Sequence, residues 1–317
     1  MGHLGSGQRT RRPKWVSHLA LTRLTHSVHS RTRRVGDVSR KQTTPRRQQL
    51  GRALRELREG AGMTIEAAAP RFYWSSSKLG RIEQGYQRVD VHGVRSMLDL
   101  YDIGGTRWTE VTELALRAQE PGWWRAYGLD DRGYVPLEAD ATLVRDYTIG
   151  YVPGLLQTAA YTRALSLSYP KHLNEQDLAL SVQIRNIRQR RLIDQQNPLE
   201  LAAIVDEGVL HRPVGGPEVM RDQLRRIVES AALDRVTFQV LPTAVGARPG
   251  LSSVFTLLSF EAIGFPDMVY VEHPMGAVQM AQEDSVERAT IFFDRLRSLA
   301  LSPADSVALV HRAAEQM

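Results

Sequence analysis

The sequence contains no cysteine. That excludes disulfides, thiolate metal sites and cysteine nucleophiles, and it fits a reducing cytoplasm. No apolar run approaches the roughly 20 residues of a membrane-spanning helix. The most apolar stretch of the N-terminal region, residues 16–24, is interrupted by Ser17, His18 and Arg23, which argues against a secretory signal. There is no internal repeat and no heptad run long enough for a coiled coil. Catalytic patterns are missing as well. His211, His273, Asp206, Glu207 and Glu272 lack the short two-histidine spacing of a helical metal motif. No serine sits in a nucleophile elbow. Gly215-Gly216 is not followed by the Lys-Ser or Lys-Thr of a phosphate loop. These residues read as structure at strand ends. No catalytic residue, cofactor or metal is expected, and the chain is not expected to be an enzyme.

Acidic residues are nearly absent from one segment. The net charge is +6, yet residues 1–48 hold twelve Lys or Arg against Asp37 alone, which is +11 and leaves −5 for the rest. The basic character therefore belongs to a tail. A basic, acid-poor arm points to nucleic acid. Its bland alternative is a solvated leader, from a start codon set too far upstream.

With 317 residues, 42% hydrophobic and 24% charged, the chain is long enough for two domains and has an ordinary globular composition. Residues 1–45 lack sustained periodicity and read as a disordered tail, in which 15–24 could form a short helix. Residues 46–104 read as a compact helical domain. Leu50, Ala53, Leu54, Leu57 and Ala61 mark a first helix over 46–59. Asp90 caps a later helix with the stripe Val91, Val94, Met97, Leu98 and Tyr101. Residues 105–122 read as a linker helix ending at Pro121-Gly122. Residues 123–317 mix strands, over 143–151, 199–206, 236–241, 253–260 and 268–272, with helices over 159–166, 175–194, 217–233, 285–300 and 303–314. The expected fold class is α+β, an all-α N-terminal domain before a mixed C-terminal one.

Residues 62–85 carry the sharpest pattern. Thr64 caps one short helix, Ser75 caps a second, and Gly85 can end the second in a left-handed conformation. Ile65, Ala68, Phe72, Leu79 and Ile82 hold the two together. The second helix turns Ser76, Ser77, Lys78 and Arg81 outward, hydroxyls and cations suited to phosphates and base edges. This is a helix-turn-helix pattern with 75–84 as the recognition helix. Candidate DNA contacts are Ser75, Ser76, Ser77, Lys78, Arg81, Gln84 and Arg88. Arg81 is the best candidate for a base, because a guanidinium can fork onto guanine O6 and N7. Glu83 is expected to pair with Arg55 or Arg58, since an acid facing phosphates would repel them.

Leu54-Arg55-Glu56-Leu57-Arg58, Met63-Thr64, Ala68-Ala69 and the run from Ser75 through Arg81-Ile82-Glu83 to Gly85 resemble the xenobiotic-response-element type of helix-turn-helix regulator, the phage-repressor class. Gly122-Trp123-Trp124, the stretches 152–158, 210–216, 240–242 and 250–252 with Phe255, and the stretches 293–297 and 300–302, resemble the large C-terminal domain attached to such regulators in actinobacteria. That group includes the WhiJ-like and antitoxin-like proteins. The resemblance implies a cytoplasmic transcriptional regulator, nucleoid-associated when bound to double-stranded DNA. It implies no catalytic role for the C-terminal domain, and a small partner protein encoded nearby. The alternative is an antitoxin-like interaction module that sequesters that partner.

Three positions depart from the pattern. The turn residue is Tyr73 where glycine is usual, and a bulky residue at positive φ is strained. Pro70 removes a backbone donor late in the first helix. Gly80 lies inside the recognition helix. Trp123, Trp124 and Tyr127 read as an anchor between linker and C-terminal domain, with a ligand pocket as the other reading. Arg185, Arg188, Arg190 and Arg191 read as a solvated face paired with acids, with DNA contact as the other reading. One reader unit covers few base pairs, so a homodimer on a near-palindromic site is expected.

Residues 49–104 carry eight Lys or Arg and seven acids, little attraction for a polyanion. Each phosphate neutralised adds about 0.9 to the slope of log affinity against log salt. Deleting residues 1–45 is expected to lower affinity for all sequences alike and to flatten that slope by several units, with base preference unchanged. An identical affinity and slope in salt titrations would make the tail a passive leader.

Overall fold

The computed structural model describes residues 43–169, 173–248, 250, 254–273 and 275–317. The basic tail up to residue 42, the short helix expected at 15–24 and the first residue of the strand expected at 253–260 lie outside them. Among the described residues, no helix is long and apolar enough to cross a membrane.

The N-terminal part is a bundle of five helices. Helix α1 (Pro45–Gly60) starts with a proline in its first turn and Thr44 as cap. Helix α2 (Ile65–Ala68) is capped by Thr64 and tightens into a 3-10 turn over Ala69–Phe72. Pro70 lies within that turn, where its missing donor ends the α-helix early. Tyr73 then adopts φ 56°, ψ 35°, the left-handed conformation, with its side chain almost wholly exposed. Ser75 caps α3 (Ser76–Glu83) by accepting from Lys78 N at 3.1 Å, and Gly85 follows at φ +75°. Asp90 caps α4 (Val91–Leu100), accepting from Gly93 N at 2.6 Å.

Helix α5 (Gly105–Gln119), the expected linker helix, also packs on the bundle. Val111, Ala115 and Ala118 are buried with Leu54, Leu79, Ile82, Val94, Met97 and Leu98 in one core. Its apolar stripe closes the bundle, a role that periodicity alone cannot distinguish from that of a connecting helix. The body also begins earlier than residue 46, since Thr43 is buried and donates from Oγ1 to Gly85 O at 2.9 Å.

The C-terminal part is a six-stranded mixed sheet with helices on both faces, an α+β arrangement. Strands β1 (Leu143–Thr148), β2 (Glu200–Asp206) and β3 (Val236–Leu241) pair in parallel. Strands β4 (Phe255–Phe260), β5 (Phe265–His273) and β6 (Gly276–Met280) continue from β1 as antiparallel neighbours. The order is β3-β2-β1-β4-β5-β6. Between β1 and β2 run α7 (Ala159–Leu167) and α8 (Glu175–Arg190); α9 (Pro217–Ala231) joins β2 to β3. Helices α10 (Glu283–Leu299) and α11 (Pro303–Glu315) complete the chain. Leu201, Ala203 and Val205 of β2 enter a core with Leu224 of α9 and Val310 of α11. Ile204 enters the opposite core with Phe293 and Leu296 of α10. Burial on both faces explains why β2 reads as a continuous apolar run.

A short helix, α6 (Tyr134–Asp140), precedes β1 and corrects the reading of the arginine run. Arg185, Arg188 and Arg191 do not form a solvated face; all three are buried, and only Arg190 is exposed. Arg188 donates through Nε and Nη2 to the two oxygens of Glu138 in α6, both at 2.6 Å. Arg191 donates to Ala141 O at 2.7 Å. Burial pushes the Glu138 carboxyl up, but Arg188 outweighs it and holds the group below the ordinary range. A carboxyl depressed in this way stabilises the fold above its unfolded pKa, and that stability is lost as pH falls toward the folded value. Glu138→Gln is expected to destabilise the domain by roughly 3–5 kcal/mol, because a guanidinium is left buried without its countercharge. Glu138→Leu combined with Arg188→Met is expected to recover most of the loss. Chemical denaturation of the three proteins checks this. A single mutant as stable as the parent would refute it.

Candidate nucleic-acid interface

Helix α3 is held by close backbone approach to α1. A Cβ on Gly51 would lie 2.5 Å from Glu83 O, so only glycine lets the two helices meet there. The same contact buries the acid of α3. Arg58 Nε donates to Glu83 Oε1 at 2.6 Å and Nη2 to Oε2 at 3.0 Å, with both side chains at most 5% exposed. Hydrogen bonding to Glu83 raises the Arg58 pKa. Of the two expected partners for Glu83 the structure selects Arg58, while Arg55 pairs with Glu59. The negative charge is thus neutralised on the inward side.

The outward side is cationic and braced. Arg81 is exposed; its Nη1 donates to Ser77 Oγ at 2.6 Å and its Nε to Gln87 Oε1 at 3.1 Å. Lys78 is half-buried, with Nζ 4.1 Å from the centre of the Trp74 ring. Ser75, Ser77 and Gln84 are exposed and Ser76 is half-buried. Gln87 and Trp74 were missed by the sequence reading. Neither belongs to the pattern, and only the fold brings each beside a cation. Tyr73 stands exposed at the turn just before this face.

Arg88 goes elsewhere. It reaches Asp131 at 3.4 Å and lines a cleft of about 150 Å³ between the bundle and the sheet domain. Asp131, 10% exposed, also receives Arg47 and Arg125, and it accepts from Trp124 Nε1 at 3.2 Å. Burial first, then repulsion from Arg88 and Arg125, lowers the Arg47 pKa to about 10. Arg46 lies 2.8 Å from buried Asp140 and 3.3 Å from Glu120. Burial pushes the Asp140 carboxyl up, against the pull of Arg46 and Arg191. Trp124 is buried with Val135 and Ile184, and Trp123 packs edge-on against Tyr127, so this aromatic group anchors the junction and also walls the cleft.

The polar residues at the strand ends are occupied by structure. Asp206 accepts from Gly208 N at 2.9 Å and Glu207 from Thr243 N at 2.7 Å, while His273 Nδ1 accepts from Met275 N at 3.1 Å. Among the described residues no group of three His, Asp or Glu could hold a metal ion.

The model of a helix-turn-helix domain matches residues 49–109. The model described as domain of unknown function (DUF5753) matches residues 131–312. No curated protein and no solved structure matches the chain. The first match fits the geometry of α1 to α4 and assigns the bundle to a class of DNA-binding folds. The second spans the sheet domain and carries no assigned activity.

Two local departures are testable by stability alone. A Cβ on Gly80 would meet only Ile65 Cδ1, at an ordinary 3.9 Å, so Gly80→Ala is expected to gain roughly 1 kcal/mol. Tyr73→Gly is expected to gain about 0.5–1 kcal/mol by relieving the left-handed backbone. Thermal unfolding measures both, and a loss at either position would contradict the local geometry.

Proposed function

The chain belongs to the DUF5753 family and carries a helix-turn-helix domain ahead of that region; from this premise we propose that it is a sequence-specific, non-enzymatic transcriptional regulator of the xenobiotic-response-element type. The observation that supports the reading best is the outer face of α3. Arg81 is exposed, yet aimed by Ser77 and Gln87, so less side-chain entropy is lost when it meets a base. Lys78, Ser75, Ser76, Ser77 and Gln84 surround it as phosphate and base contacts. A homodimer would place two such helices in successive major grooves. The C-terminal domain would sense, dimerise or bind a partner, as in actinobacterial regulators. The protein would work in the cytoplasm, on the nucleoid when bound.

A second reading is the antitoxin-like module that sequesters a small partner protein. It draws on the edge strand β6, which pairs only with β5 among the described strands and leaves Val278 exposed beside Met275. Such an edge can accept a strand from another chain. Partner binding that survives Arg81→Ala would favour it.

Genome-wide mapping of bound DNA, followed by gel shifts on the recovered sites, tests the first reading. Arg81→Ala is expected to weaken binding by roughly 1–3 kcal/mol and to relax preference at one base position. Lys78→Ala is expected to weaken all sites alike. Unchanged affinity for both variants, in proteins that melt normally, would overturn the assignment of α3.

A further inference from the structure

The cleft between the two domains is lined by more cations than acids. Arg46, Arg47, Arg88 and Arg117 line it, and Arg125 reaches its carboxylate Asp131. Among the lining residues, four arginines stand against three acids, Glu120, Asp131 and Asp140, and Asp130 acts on Arg125. Asp131 alone draws three guanidiniums, so each is only partly neutralised. Arg117 is exposed on the rim and pairs with no acid among the described residues. Trp123 and Trp124, their rings set edge to face at 78°, give the second wall its apolar surface. A further observation marks the floor. Asp140 Oδ2 is buried and accepts no hydrogen bond among the described residues. A cavity of about 150 Å³ has the capacity of a single benzene-sized body.

We propose that this cleft binds a small organic anion, a carboxylate or phosphate on a flat body with a hydroxyl or amino donor, and that the anion takes Arg47 and Arg88 away from Asp131. The anionic group meets the surplus guanidiniums, the flat body lies along the tryptophan wall, and the donor reaches Asp140 Oδ2. The consequence follows from which domain owns each group. Arg46, Arg47 and Arg88 belong to the bundle, whereas Asp131 and Asp140 belong to the sheet domain. These ion pairs cross the junction, and a competing anion weakens them. Arg47 also abuts the end of the recognition helix. A Cβ on Gly85 would lie 2.9 Å from Arg47 C and O. A change at the cleft is therefore next to the DNA-reading element. This sensing role rests on the regulator reading above, but anion binding itself does not.

The test uses the full-length protein without DNA, so its failure and that of the regulator reading are separable. Calorimetric titration with para-hydroxybenzoate and with para-aminophenyl phosphate is expected to give saturable, one-site binding for at least one of them. The neutral para-hydroxybenzamide is expected to bind at least about tenfold more weakly, a difference of about 1.4 kcal/mol. Arg117→Gln and Arg88→Gln, both at exposed positions, are expected to weaken the anion by a similar factor. Asp131→Asn, which releases arginines, is expected to tighten it. Amide hydrogen exchange is expected to quicken in the first turn of α1 and across residues 121–132 when the anion is added. No binding of either anion up to its solubility limit would overturn the site. So would equal binding of the amide, or indifference to both arginine substitutions. Inorganic phosphate binding as tightly as the aromatic anions would remove the flat body from the proposal. Anion binding with unchanged exchange would overturn the competition with Asp131.

Discussion

The contact between α1 and α3 is the constraint on which the N-terminal half depends. Gly51 lets the backbones meet, and the buried pair of Arg58 and Glu83 locks their relative rotation. A bidentate, desolvated pair of this kind has one satisfactory geometry. It is weak evidence for net stability, because burying two charges is costly. Its contribution is orientation. With Glu83 turned inward, the opposite side of α3 can only be the side that carries Ser77 and Arg81. Helix α1 then has its other end docked on the sheet domain, where Arg52 lies 5.6 Å from the Phe265 ring and Gln49 donates to Ile263 O. One helix thus carries both the reader and the junction.

The sheet domain has a comparable centre in β1. It pairs in parallel with β2 and antiparallel with β4, so it is where the two halves of the sheet change direction. Asp146 is buried on this strand and accepts from Thr256 Oγ1 of β4 at 2.8 Å. A buried polar pair across the antiparallel seam favours one register there. The parallel half resembles α/β proteins in its apolar strands and crossover helices. The antiparallel half ends at a short, half-exposed edge.

Much of this was legible from local chemistry. Caps at Thr64, Ser75 and Asp90, the left-handed Gly85, and the strain at Tyr73 are each determined by a few neighbouring residues. The sequence reading also anticipated strand β3 at its full length and the inward turn of Glu83. What it missed was set at long range. Helix α6 has seven residues, six of them buried, with Pro136 inside, so it shows no amphipathic period. Without α6 there was no Glu138, and without Glu138 the arginines of α8 had no reason to be inside. Strand β6 is five residues long and begins with glycine, too short for alternation to register. Arg88 follows the recognition helix in sequence, and only the docking of the two domains brings it within 3.4 Å of Asp131. Helix α5 was found, but its stripe gave no sign of which surface it would cover.

The junction also bears on how this architecture can be rebuilt. Here the helical bundle contributes Arg46 to the buried carboxylate Asp140 and Arg47 to Asp131 in the cleft wall. A chimera that sets a foreign bundle on this sheet domain would leave those acids at the junction with fewer countercharges. The sheet domain would accept only bundles with arginines at the start of their first helix. Replacing only the outward residues of α3 would leave every one of these junction pairs in place.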